Sequence, residues 1–451
     1  MVKPLPAGLS FRGAPHAAAD IALYVDRTFV DERGDRVAEQ SIFDALFELI
    51  DRAEHFLVVD QFLFNDFQGP VPETTRALSS ELVGRLIARK QASPDLRIVV
   101  ITDPVNTLYG GRPSKTLDAL GASGVEVVIT DLRALRDSHM PYSPFWRSFI
   151  QWFGNAQGSL LPNPITEGRV SLRTYLTLLN FKANHRKTAV ADINGQLVGF
   201  VSSANPHDGS SAHDNVAVRF SGGAAEDLLR SENAVLVFSG AQPVAVPDVG
   251  DAGDVPSGST VQLLTESEIR DGLLETLNAA STGDQVDVMV FYLSHSDLLD
   301  AMVDAHGRGA RVRVLLDPNK DAFGREKNGI PNRASAHRLT RAGVTVRWCA
   351  TRGEQCHAKV LLLRPASAAA TLVTGSANFT RRNLDDYNLE TDVRIVAPAS
   401  HPAIARMAAT FDAAWSNTDG IESTGYETYA DDSGFRRFLA WWMERTGMGT
   451  F

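Results

Sequence analysis

The chain has 451 residues and a formal charge of −10, from 44 Lys and Arg against 54 Asp and Glu. That length holds two domains of ordinary size, and the acidic balance argues against a protein that tracks a nucleic-acid backbone over a basic surface. No apolar run approaches the ~18 residues that span a bilayer, and Met1 to Pro6 has no signal-peptide core, so the sequence reads as cytoplasmic. Cys349 and Cys356 are the only cysteines. Two are too few for a disulfide framework and read as reduced thiols.

In chain order, the first half predicts a helix over 41–53, a strand over 56–64 and a helix over 82–90. A strand over 98–102 stops at Asp103-Pro104, where proline ends the ladder. A helix over 114–120 and a strand over 124–129 follow. The stretch 239–260 is rich in Pro, Gly, Asp and Ser without sustained apolar period, as expected of a linker. Beyond it come a helix over 268–280, a strand over 286–293, a helix over 298–306 and a strand over 311–316 that stops at Asp317-Pro318. A helix over 333–342 and strands over 344–348 and 359–363 complete the unit.

The second half repeats the order of the first. Gly124-Val125-Glu126-Val127-Val128-Ile129 matches Gly343-Val344-Thr345-Val346-Arg347-Trp348. Alternating strands and helices imply βαβ units and a mixed or parallel sheet under helices. The expectation is two similar α/β domains related by duplication, residues 1–238 and 261–451. They differ at one place. Gly343 precedes His357 by 14 residues, whereas Gly124 precedes His185 by 61, which puts 47 extra residues between about 132 and 181. Loops this long are usually functional or disordered, and the many aromatics here argue against disorder.

The chemistry lies in a pattern present twice. His185-Arg186-Lys187 is followed by Asp192 and then Ser202-Ser203-Ala204-Asn205; His357-Ala358-Lys359 is followed by Gly375-Ser376-Ala377-Asn378. One His-x-Lys means nothing. Two copies at matched places in a duplicated fold offer paired imidazoles, one to attack phosphorus and one to protonate the leaving oxygen. On a strand, positions i and i+2 share a face, so each Lys projects beside its His and neutralises phosphate oxygens. Asn205 and Asn378 offer amide donors, and Ser203 and Ser376 hydroxyls.

These residues resemble the signature of the phospholipase D superfamily, His-x-Lys-x4-Asp followed by a Gly/Ser-rich stretch ending in Asn, twice per active site. The resemblance covers most of the chain, including Asp317-Pro318-Asn319, Gly329-Ile330-Pro331-Asn332 and the region 383–395. It implies two phospholipase D-like domains, each a mixed β-sheet flanked by helices, packed about a pseudo-twofold axis with both histidines in the cleft. It also implies a covalent phosphohistidine, His185 as nucleophile, His357 as general acid, and neither metal nor cofactor. Glu390 occupies the place of an acid that orients one imidazole, with Asp214 or Asn215 as its counterpart. Arg364 stands where the second copy should carry Asp, which suggests a changed support contact.

The superfamily includes phospholipases, phosphatidyl synthases and nucleases. The acidic charge disfavours the nuclease reading, and two intact His-Lys pairs disfavour an inactive scaffold. Phe145, Trp146, Trp152 and Phe153 of the insertion are candidates for lipid contact at a membrane surface. Phe435, Phe438, Leu439 and Trp442 form a second aromatic stripe, with core packing the plainer reading for both. The expected partner is a phospholipid at the inner membrane, met peripherally by a monomer, with no stable nucleic-acid partner.

Overall fold

A computed structural model describes the chain except for residues 1–2, 19, 69–70, 72–73, 164–167, 247–257, 323–324 and 450. The first half builds one sheet from β1 (Ala22–Val30), β2 (Arg36–Glu39), β3 (Phe56–Gln61), β4 (Arg97–Thr102), β5 (Glu126–Ile129), β6 (Lys187–Ile193), β7 (Gln196–Ser202) and β8 (Asn215–Ser221). Their order is β2-β1-β8-β7-β6-β3-β4-β5. The second half builds another from β9 (Thr260–Thr265), β10 (Gln285–Val290), β11 (Arg311–Leu316), β12 (Thr345–Cys349), β13 (Lys359–Arg364), β14 (Ala370–Gly375), β15 (Thr391–Ala397) and β16 (Ser423–Gly425). Their order is β9-β15-β14-β13-β10-β11-β12-β16, and the short strand His16–Ala17 from the first half pairs with β9.

Without β2, β16 and that short strand, the two orders correspond strand for strand. β3, β4 and β5 run parallel, as do β10, β11 and β12, and the remaining pairs of each sheet are antiparallel. Both sheets are therefore mixed, and the predicted duplication is present in the topology.

Side-chain alternation decides how the sheets stack. Leu57 and Val59 of β3 pack with helices α1 (Ile42–Arg52), α2 (Leu78–Ala92) and α3 (Lys115–Ala122). Phe56 and Val58 point the other way, into a core shared with Val360 and Leu362 of β13. Leu361 and Leu363 of β13 pack instead with α6 (Ser267–Ala279), α7 (Ser296–Gly307) and α8 (Asn332–Arg341). The result is helices, sheet, sheet, helices, with the two sheets face to face. α5 (Gly223–Phe238) and α9 (Pro402–Ser416) also pack into the shared core.

Arg186, the middle residue of the first His-x-Lys, lies in that shared region and is fully buried. Its Nη2 donates to Glu266 of the second half at 2.8 Å, and its Nη1 lies 3.4 Å from Glu232 of α5. Burial works against the charge, but the two glutamates hold the guanidinium above its ordinary pKa.

Several predicted elements change. The strands expected to reach Phe64 and Leu293 end at Gln61 and Val290, and Phe62 and Phe291 turn out of the ladder toward the histidines. The cysteines are not reduced thiols: the end of β12 meets the segment before β13, and Cys349 is bonded to Cys356 with Cα atoms 6.2 Å apart. Part of the expected linker, 247–257, falls outside the described residues; before it, Val244 docks in the shared core. In the insertion, Trp146–Ile150 forms a π-helical turn, Leu161–Pro162 pairs with Arg169–Val170, and α4 (Leu172–Leu178) leads to the His185 strand.

The C-terminal helix α10 (Gly434–Thr446) ends against this insertion. Met140 N–H donates to Thr446 O at 3.1 Å. Gly447 closes the helix at φ 71°, and a Cβ there would fall 1.7 Å from Ser138 O, so only glycine permits the approach.

Replacing Arg186 with Met keeps the bulk but strands two buried carboxylates. Stability measured by urea denaturation should fall by ~3–5 kcal/mol. A loss below ~1 kcal/mol would show that the joint between the halves does not depend on this cation.

Candidate active site

Both histidines stand just before a central strand, His185 before β6 and His357 before β13, and both line one cavity of about 300 Å³. The backbone sets them symmetrically. His185 N–H donates to Leu389 O and His357 N–H donates to Asp214 O, both at 2.9 Å. Each bond crosses from one half to the other.

A second symmetric pair holds the preceding residue. The carboxylate of Asp103 accepts from Asn184 N–H at 2.7 Å, and that of Asp317 from Cys356 N–H at 2.9 Å. Burial pushes these carboxyls up, to about 7 and about 6. The two Asp-Pro steps were read only as strand stops. Their matched recurrence was the signal that could have marked them as supports.

The ring contacts also cross. His185 Nδ1 lies 2.9 and 3.0 Å from the two oxygens of Glu390 in the second half. His357 Nδ1 lies 3.1 Å from Asn215 Oδ1 in the first half. Ser376 donates its hydroxyl to Glu390 and Ser203 donates to Asn215, so the pairs Ser376–Glu390 and Ser203–Asn215 are counterparts. The Asn215 NH2 group donates to His213 O, which turns its oxygen toward His357.

This places the predicted residues unequally. Glu390 is where it was expected. Asp214 is not the counterpart: its carboxylate accepts from Thr28 N–H at 2.7 Å, because consecutive strand residues face opposite ways, and Asn215 takes the place. Ser203 and Ser376 are bound to the orienting groups and to the N–H groups of Val216 and Thr391, so they support the imidazoles and are not free phosphate donors. Asn205 and Asn378 do line the cavity. Lys187 and Lys359 are fully buried, each donating to the carbonyl of its own histidine. Burial depresses both ammonium groups, Lys187 to about 7.

Phe62 packs against His185 with centroids 4.7 Å apart, and Phe291 against His357 at 5.1 Å. Tyr109, Lys182, Tyr292, Lys327 and Arg382 also line the cavity. None was singled out from sequence; Lys182 follows the insertion directly, and Arg382 comes from the short helix Arg381–Leu384 far along the chain. The motif aspartates sit elsewhere. Asp192 accepts from His55 and Phe56 N–H at the start of β3, and its counterpart Arg364 bonds Asp287 and Asp412, so both are support contacts.

The imidazoles differ in electrostatics. Burial lowers His185 to about 4 despite the opposing pull of Glu390. Burial, Lys359 and His213 hold His357 well below the ordinary range. A carboxylate on Nδ1 fixes the Nδ1–H tautomer and leaves Nε2 with its lone pair, while an amide fixes the tautomer without adding charge.

Of the predicted aromatics, Phe145, Trp152 and Phe153 are exposed, by 52%, 72% and 71%. Trp146 is not. It is 8% exposed, with the Arg173 guanidinium 4.7 Å over its ring, because the π-turn rotates it inward. On α10, Phe435, Phe438, Trp441 and Trp442 are exposed, while Leu439 packs inward.

Residues 273–415 match the family described as cardiolipin synthase, PLD-like domain. Phosphatidylserine synthase of Haemophilus influenzae is similar in structure over 96% of this chain and 95% of its own, with TM-score 0.54 and 10% identity. Nuc of Salmonella typhimurium, a phospholipase D family member, matches 36% of this chain and 97% of its own at 23% identity, with TM-score 0.29. Polyphosphate kinase of Porphyromonas gingivalis matches 87% of this chain and 49% of its own at 10% identity, with TM-score 0.45. No curated protein sequence matches the chain. Residues 273–415 are thus similar to a phospholipase D-like domain, and with its twice-repeated sheet topology the whole chain shares the fold of the phosphatidylserine synthase.

Proposed function

We propose that this protein is a metal-independent phosphodiesterase or phosphatidyltransferase that acts on phospholipids through a phosphohistidine. The observation that carries this reading is the cavity with two crossed imidazoles, one backed by Glu390 and the other by Asn215. His185 Nε2 attacks phosphorus, and the P–O bond to the leaving group breaks. His357, protonated on Nε2, gives that proton to the leaving oxygen. Water or an alcohol then loses its proton to His357 and attacks phosphorus, the P–N bond breaks, and His185 is regenerated. Lys187, Lys359, Asn205 and Asn378 balance the charge on the non-bridging oxygens. Glu390 favours His185 as nucleophile because it stabilises the cationic ring of the phosphohistidine.

Lipid as the substrate rests on position. The insertion ends at Leu178 and Phe181 on the cavity wall, its Phe145, Phe149, Trp152 and Phe153 are exposed, and its Met140 bonds the end of α10, which carries further exposed aromatics. Aromatic and basic groups together suit a bilayer interface. The phosphatidylserine synthase likeness and the cardiolipin synthase description agree with this substrate class. No helix among the described residues is long and apolar enough to cross a membrane, so attachment would be peripheral.

His185→Ala and His357→Ala should each reduce turnover of phosphatidylglycerol by roughly 10³-fold or more without lowering the thermal midpoint. A chelator should change nothing. Quenching early should trap a phosphatidyl group on His185, and label found on His357 alone would reverse the two roles. Single-stranded DNA belongs in the same assay; its cleavage with lipid untouched would assign a nuclease.

The pH profile tests the electrostatics. His185 is unprotonated in the fold above about 4, while the acid His357 is held well below its ordinary value, so kcat/KM should rise as pH falls toward that region and drop once His185 takes up its proton. Lys187 loses charge above about 7, so activity should also decline on the alkaline side. A maximum above pH 9 would contradict the depressed lysine.

Changing Phe145, Trp152 and Phe153 to Ser should weaken liposome binding and vesicle turnover while a short soluble diester is cut as before. Unchanged vesicle binding would remove the insertion from the lipid surface.

A further inference from the structure

A second cavity, of about 540 Å³, opens between α7, α8 and α10, away from the paired histidines. Arg437, Trp441 and Arg445 of α10 line it, as do His295 and Ser296 at the start of α7. His295 is 6% exposed. Its Nε2 lies 3.4 Å from Asp385, and its Nδ1 is buried with no partner among the described residues. Helix α7 has twelve residues and begins at His295 without a side-chain cap, so its first-turn N–H groups lack that acceptor.

The cations are also unspent. Among the described residues, Arg437 Nη1 is buried without a hydrogen-bond partner. Arg445 stacks 6.0 Å over the Trp441 ring and is exposed. Three carboxylates share the wall: Asp297, in the first turn of α7, is exposed, and the other two are engaged. Asp385 is bonded to Arg270 at 2.9 Å, and Glu444 accepts from Arg381 N–H at 2.7 Å, with desolvation raising its carboxyl above the ordinary value.

We propose that this cavity binds the phosphate group of a phosphomonoester or phosphodiester, as a site separate from the catalytic one. Two arginines and a helix N-terminus converge as donors, joined by the unpartnered imidazole nitrogen when the His295 ring is protonated, and each is worth more where water is partly excluded. Trp441 and Phe438 stand exposed beside it, which places a lipid headgroup and a soluble phosphoester as its two sources. The site stands whatever the catalytic cavity cleaves.

Isothermal titration of the full chain with sn-glycerol 3-phosphate and with inorganic phosphate should resolve two sites. Arg437→Gln/Arg445→Gln should retain the catalytic one and weaken the other by about tenfold or more, the scale of a lost charge-assisted contact. Arg445→Gln alone, at an exposed position, should give a smaller loss with an unchanged thermal midpoint. Flotation with vesicles of phosphatidylcholine and phosphatidylglycerol separates the sources. Weaker flotation of the double variant assigns a headgroup, and equal flotation with the soluble site lost assigns a free phosphoester. A single site in the unmodified chain, or two undiminished sites in the folded double variant, overturns the proposal.

Discussion

Each imidazole of the candidate site is held by the half of the protein that does not carry it. His185 of the first half takes its Nδ1 acceptor from Glu390 of the second, and His357 takes its own from Asn215 of the first. Hydrogen bonds of this kind work only within a few tenths of an ångström. The site therefore demands that the two sheets be fixed against each other with the precision of a single core. The face-to-face packing supplies that, and so does the buried triad of Arg186, Glu232 and Glu266. An ion pair so deep is costly to form, and its value here is in fixing register.

Duplication made the frame symmetric, and one substitution breaks the symmetry. Ser203–Asn215–His357 and Ser376–Glu390–His185 are the same arrangement with an amide in one and a carboxylate in the other. That exchange of a carboxylate for an amide on a shorter side chain puts a negative charge behind one imidazole only. Two equivalent histidines thereby become electrostatically distinct, the asymmetry that the proposed division into nucleophile and proton donor requires.

The other asymmetry is steric. The first half has an aromatic insertion where the second has a short connection. The end of α10 reaches back to it, and Arg382 donates to the carbonyls of Phe181 and Gly447 beside the catalytic cavity. The mouth is thus built from segments more than two hundred residues apart. In the insertion, Trp146 folds under Arg173 while Phe145, Phe149, Trp152 and Phe153 stay exposed.

Local pattern was enough for the sequence to determine the βαβ order, the duplication and the paired His-x-Lys motifs, while the place of Glu390 came from the resemblance to the phospholipase D superfamily. Alternation of apolar residues and repetition of Asp-Pro, Gly-Val and His-x-Lys are properties of neighbouring residues, and they survive without any knowledge of packing. Only the tertiary structure decided which side chains meet. A strand residue and its neighbour face opposite ways, so Asp214 and Asn215 looked equivalent in sequence while just one reaches His357. Ser203 and Ser376 became supports because the residues that claim their hydroxyls lie in other strands. Cys349 and Cys356 pair because the chain between them turns back from β12 toward β13. Trp146 is buried because a π-turn rotates it inward, which no apolar count along the insertion could indicate. Contacts between distant segments depend on backbone direction and register in three dimensions, and one-dimensional spacing does not contain them.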